Sequence, residues 1–152
     1  MLPPVRLKSP HPDKVPPILG RELRVISEEV QEGLGLPLPP ISIRMTCFFA
    51  TKPRHFAAQE GFRPAIIYLC PDLADEPITR IRGILYHEFG HLLQNYEKAI
   101  TGVVDQGGRD YEQDCDHKVE AVTGIRIYYD SERLQRAGPG ARGRRPRPRG
   151  LT

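Results

Sequence analysis

Five consecutive residues, His87-Glu88-Phe89-Gly90-His91, constrain this chain more than any other feature. They sit in a segment where Ile78, Ile81, Ile84, Leu85, Phe89, Leu92, Leu93 and Tyr96 recur at helical spacing. Such a broad apolar face belongs to a buried, central helix. Asp75-Glu76-Pro77 supplies its start signal, with acids beside the first turn and a proline where a missing N–H is no loss. The spacing predicts a helix from about residue 77 to 98. At about 100° per residue the two histidines stand about 40° apart on one face, one turn above the other.

Two imidazoles so placed can point a ring nitrogen each at one metal ion, about 2.0–2.1 Å away for zinc. Glu88 lies to the side, where a carboxylate reaches a metal-bound water without ligating the metal. That is the position of a general base. With 5 histidines and 11 glutamates in 152 residues, random placement gives only roughly 0.01 such motifs per chain. The plain structural reading is a pair of core histidines bonded to backbone carbonyls. Against it stands the desolvation of two imidazoles and a carboxylate on an apolar helix with nothing bound to compensate.

A catalytic zinc site takes three protein ligands and keeps one position open. The extended motif with a third histidine six residues on fails here, because position 94 is Gln and position 97 is Glu. The third ligand is therefore expected from the next helix, which starts near Arg109 and reaches at least Val122, with Thr123-Gly124 as its stop. Its acids include Glu112, Asp116 and Glu120, with His117 among them. Glu112 is favoured as the ligand. Asp116, four residues on and on the same face, can accept the spare N–H of a ligating histidine and fix its tautomer. His117 and Glu120 remain the alternatives, and any of these acids can equally be a solvated helix start.

Upstream, Leu19, Leu23, Ile26 and Val30 predict an amphipathic helix ended by Gly33 and Gly35. Ile41 to Phe49 alternates apolar and polar residues as a half-buried strand does. A loop is expected from Thr51 to Pro64, then a second strand over Ala65–Cys70 closed by Pro71. Residues 125–129 are open between helix and strand. The fold class is α+β.

Ile67-Tyr-Leu-Cys-Pro-Asp-Leu73, Tyr86-His-Glu-Phe-Gly-His-Leu-Leu93 and Glu112-Gln-Asp-Cys-Asp116 together resemble the ImmA/IrrE-type metallopeptidases. That family shows a strand ending in Pro-Asp, then H-E-x-x-H, then E-x-x-A-[DN]. The likeness covers about residues 41–123, and Cys115 and Lys118 depart from it, standing where an alanine and an aromatic are usual. It implies a minimal zincin-like domain, with a small sheet packed on the central HExxH helix and flanking helices. It also implies His87, His91 and Glu112 as Zn2+ ligands and Glu88 as the base. The strand over Ala65–Cys70 would then be either a substrate-binding edge strand or an ordinary inner one. Tyr111, Tyr128 and Tyr129 are open between oxyanion donors and packing, and Cys115 between ligand, redox group and small buried residue.

Composition sets the remaining bounds. Six prolines in the first 17 residues predict an extended arm that packs little. The domain is expected over residues 18–137. From 138 to 152 come five arginines, three prolines, four glycines and no acid, a segment that cannot bury enough surface to order itself. The net charge of +3 thus belongs to this tail, and the rest carries −2. A near-neutral body argues against a nucleic-acid-binding fold. No apolar run nears the roughly 20 residues that span a bilayer, and the first residues lack the apolar core of a secretory signal, so a cytoplasmic protein is expected. Three cysteines without Cys-x-x-Cys spacing fit reduced thiols.

Two functions follow as expectations. One is a zinc endopeptidase cutting a protein or peptide substrate through a Zn-bound water activated by Glu88. The other is a catalytically weak or inactive zincin-fold binding or regulatory protein, whose tail makes weak, salt-sensitive contact with nucleic acid or another acidic partner. Glu88 favours the enzyme, since a pure binding module has no use for it.

Overall fold

The computed structural model describes residues 2–46 and 56–126. Cys47, Phe49, Tyr128, Tyr129 and the Arg-rich tail lie outside these residues. Strand β1 (Leu7–Lys8) leads through a short 3-10 turn to helix α1 (Pro17–Leu34), followed by β2 (Ile41–Met45), β3 (Ala57–Glu60) and β4 (Ala65–Leu69). A second 3-10 turn at Pro71–Asp75 then enters helix α2 (Ile78–Thr101), and α3 (Tyr111–Thr123) ends the described chain. The mixed class expected from sequence holds: three helices and a four-stranded sheet among the described residues.

The sheet runs in the order β1-β2-β4-β3. β1, β2 and β4 are mutually parallel along this order, and β3 is antiparallel on β4. Period-two burial explains the register. Ile41 and Ile43 face the core directly beside Ala65 and Ile67, so one face of β2 and β4 is continuously apolar. Against this core pack Leu19, Leu23, Ile26 and Val30 of α1 and Ile81, Ile84, Leu85, Phe89 and Leu92 of α2. α2 touches α1, α3 and β3, so the motif-bearing helix is central. No helix among the described residues is long and apolar enough to cross a membrane.

Two expectations are corrected and one open choice is resolved. The N-terminal arm is extended but does pack: Val5 is only 2% exposed, and Leu7–Lys8 pairs with Ile41–Ser42. The loop expected over 51–64 contains a strand, β3, whose Ala-Ala-Gln-Glu sequence has none of the residues that favour strands. Of the two readings of the strand over Ala65–Cys70 the inner one holds: β3 lies outside β4, and among the described residues the edge falls to β3.

Candidate metal centre

α2 and α3 meet at Gly90. A Cβ placed there would lie 2.2 Å from the backbone oxygen of Cys115, so the helices are in backbone contact at this point. This closeness brings the faces carrying His87 and His91 against the face carrying Glu112, Cys115 and Asp116. α3 enters through a capping box: the Asp110 carboxylate accepts from Gln113 N at 2.7 Å, and the Gln113 side chain accepts from Asp110 N at 3.4 Å. Two first-turn donors are thereby satisfied at the turn that presents Glu112.

The two imidazoles converge on one carboxylate oxygen. His87 Nε2 lies 2.8 Å from Glu112 Oε1, and His91 Nε2 lies 3.0 Å from the same atom. The rings cross edge to face at 4.8 Å between centroids. Each ring also has an outer partner on its other nitrogen. His87 Nδ1 meets Asp116 Oδ1 at 2.8 Å, and His91 Nδ1 meets Gln94 Oε1 at 2.8 Å. His87 is fully buried, Glu88 is 2% exposed, and Glu112 is partly open to solvent.

Electrostatics follow from this crowding. Burial works to lower the His91 pKa, but hydrogen bonds with Cys115 and Glu112 and the charge of Glu88 raise it to about 11. His87 moves the same way: burial opposes the charged form, and Asp116, Cys115 and Glu112 outweigh it. Burial pushes the Glu112 carboxyl up, yet the two imidazoles hold it well below the usual carboxylate range. Two ring nitrogens this close to one carboxylate oxygen favour a proton or a cation between them. Imidazole protons satisfy that need, and a divalent cation satisfies it equally while displacing them.

Cys115 Sγ stands 3.1 Å from His87 Nδ1 and 3.6 Å from its Nε2. One potential ligand atom each from His87, His91, Glu112 and Cys115 lies within 4.8 Å of the others, a group that could hold a metal ion. The thiol is nearer Nδ1 than Nε2 of His87. It also donates to the Glu112 carbonyl at 3.2 Å.

Of the residues singled out by sequence, His87, His91, Glu112 and Asp116 come together, with Glu88 buried beside them. The alternatives do not join them. Glu120 pairs with Arg126 at 3.3 Å, and His117 is exposed on a surface pocket with Leu34 and Val122. Tyr111 is 41% exposed and stacks on His91 at 5.4 Å between ring centroids. Gln94 was noted in the sequence only as a departure from the extended motif. A polar residue three positions past His91, within Leu92-Leu93-Gln94, was the available signal. No protein-family model, curated protein or solved structure matches the chain.

Proposed function

We propose that this chain is a zinc metallopeptidase of the ImmA/IrrE type, with a zincin-like arrangement of its sheet and helices. The observation that carries the reading is the convergence of His87 Nε2, His91 Nε2 and Glu112 Oε1, each imidazole backed on Nδ1 by an acceptor. Two nitrogens and one carboxylate oxygen are a donor set suited to zinc, and they leave a fourth position for substrate chemistry. Zinc, when bound, supplies the Lewis acidity that acidifies a coordinated water and polarises a peptide carbonyl.

The protein's own groups do the rest. Glu88 accepts the proton of the attacking water and delivers it to the departing amine nitrogen. Its burial keeps bulk water from competing for that proton. Asp116 and Gln94 orient the imidazoles. β3 is the sheet edge nearest α2, and an extended peptide can add to it as a further strand, with main-chain hydrogen bonds supplying affinity. Tyr111, exposed beside His91, offers an aromatic surface to a side chain of that peptide.

The test is metal content and turnover measured together. Wild type purified from zinc-supplemented medium should carry about one zinc per chain, and a His87→Ala/His91→Ala variant none, by mass spectrometry of the metal. Glu88→Gln should keep the metal and lose cleavage of a peptide library by about 10²–10⁴-fold. Wild type that folds without metal overturns the reading. Zinc without any cleavage leaves the binding or regulatory protein.

A further inference from the structure

We infer that Gln94 is a positioning residue for His91, the inner link of a buried hydrogen-bonded chain that holds this imidazole in the tautomer a metal requires. The inference rests on the metal reading above and concerns what sets the strength of that site.

Gln94 is fully buried, and its amide cannot be turned over. Its Nε2 donates to the Tyr111 carbonyl at 2.9 Å and to Asp114 Oδ2 at 2.9 Å. A carbonyl and a carboxylate accept only, so both amide hydrogens are committed. Oε1 is therefore the atom 2.8 Å from His91 Nδ1. As an acceptor it puts the ring proton on Nδ1 and leaves the Nε2 lone pair for a cation beside Glu112.

The chain continues outward. Asp114, fully buried, also accepts from Arg109 at 3.1 Å and pairs with Lys118 at 3.3 Å. Two cations thus hold the carboxylate, the carboxylate and the Tyr111 carbonyl hold the amide, and the amide holds the ring. The carbonyl and the carboxylate only accept and the two cations only donate, so the orientation of the amide between them and the ring is fixed, which distinguishes the chain from incidental polar packing. His87 is oriented separately, by the carboxylate of Asp116. The outer partners of the two ligands therefore differ, although both rings share Glu112, and the His87 signal is the reference against which a change at His91 is read.

The test loads the full-length chain with cobalt(II) and records proton NMR in water and in D2O. Wild type should show two strongly shifted, solvent-exchangeable ring N–H signals, one from each histidine. In Gln94→Met, similar in size but without the acceptor, the His91 signal should be lost to exchange while the His87 signal persists. Zinc affinity, by competition with a chromophoric chelator, should fall about 10–100-fold. Asp114→Asn keeps the packing and loosens the amide, so it should weaken the same signal and carries the test if Gln94→Met does not fold. Both signals unchanged, with affinity within about twofold of wild type in a folded variant, overturn the inference and leave the metal reading intact. Wild type that takes up neither cobalt nor zinc overturns the metal reading, and the inference with it.

Discussion

At Gly90 one hydrogen atom sets the spacing of the two helices that carry the candidate site. A methyl group there would lie 2.2 Å from the Cys115 oxygen, 2.6 Å from its carbonyl carbon and 2.9 Å from its Cβ. Two effects oppose each other in Gly90→Ala. Alanine is the better helix former by about 1 kcal/mol. The clash is with backbone, which cannot swing aside, and forced overpacking costs about 1–3 kcal/mol, occasionally more. The clash should win. The expected result is a lower urea midpoint together with at least about tenfold weaker zinc binding, because α3 moves off and takes Glu112 with it. Unchanged affinity in the alanine variant would mean that helix spacing does not set the ligand separation. The placement of His87, Glu88 and His91 on one helix was legible in sequence because it depends only on spacing along that helix. Gly90 was not, since a glycine that permits close approach reads the same as one that fills a gap. Gly33 is a second such case: the helix does end beside it, with Gly35 as the cap, but a Cβ at Gly33 would also come within 1.9 Å of the Val122 oxygen, which the sequence did not reveal.

Among the three helices, α3 has the smallest buried set. It buries only Asp114, Cys115 and Val119, so its position depends on polar attachments more than on apolar area. Its capping box is one of these. Asp110→Ala removes the acceptor for Gln113 N and should lower stability by about 1 kcal/mol. The frayed turn would be the one holding Glu112, so a measurable loss of zinc affinity should accompany a loss of stability that is otherwise modest. Calorimetric unfolding and chelator competition on the same variant check both, and full zinc affinity would show that Glu112 is held from the Cys115 side instead. The three helices could be anticipated from separate signals: periodicity in α1 and α2, the Asp75-Glu76-Pro77 start of α2, and glycine stops for α1 and α3, where Gly35 and Gly124 are both left-handed. β3 and β1 could not. Ala57-Ala-Gln-Glu60 becomes a strand through pairing with β4, and Leu7–Lys8 through pairing with β2, and neither partner is visible from the segment itself.

For the molecule as a whole, the arm supplies one end of the sheet order, β1, and the strand packed on the motif helix, β3, supplies the other. The arm is held by groups that local sequence does not reveal. Gln31 donates to the Pro3 carbonyl at 2.6 Å while its Oε1 accepts from Leu38 N at 2.9 Å, and Arg24 donates to the Val5 carbonyl. Prolines suppress helix and favour extension, which was legible, but extension says nothing about docking. Gln31 is the residue that joins the arm, α1 and the chain leading into β2. Removing residues 2–8 uncovers the pocket of Val5, whose burial contributes about 1.5–3 kcal/mol, and strips β2 of its outer partner. The shortened protein should therefore unfold at a clearly lower temperature. Its zinc affinity should stay within about twofold of wild type, because no attachment of α2 to α3 is touched. If metal binding fell in step with stability, the sheet and the two site helices would form one cooperative unit in which the far edge helps to set the ligand geometry. Independent behaviour would instead mark α2, α3 and their buried polar links as sufficient to define the site once the core has formed.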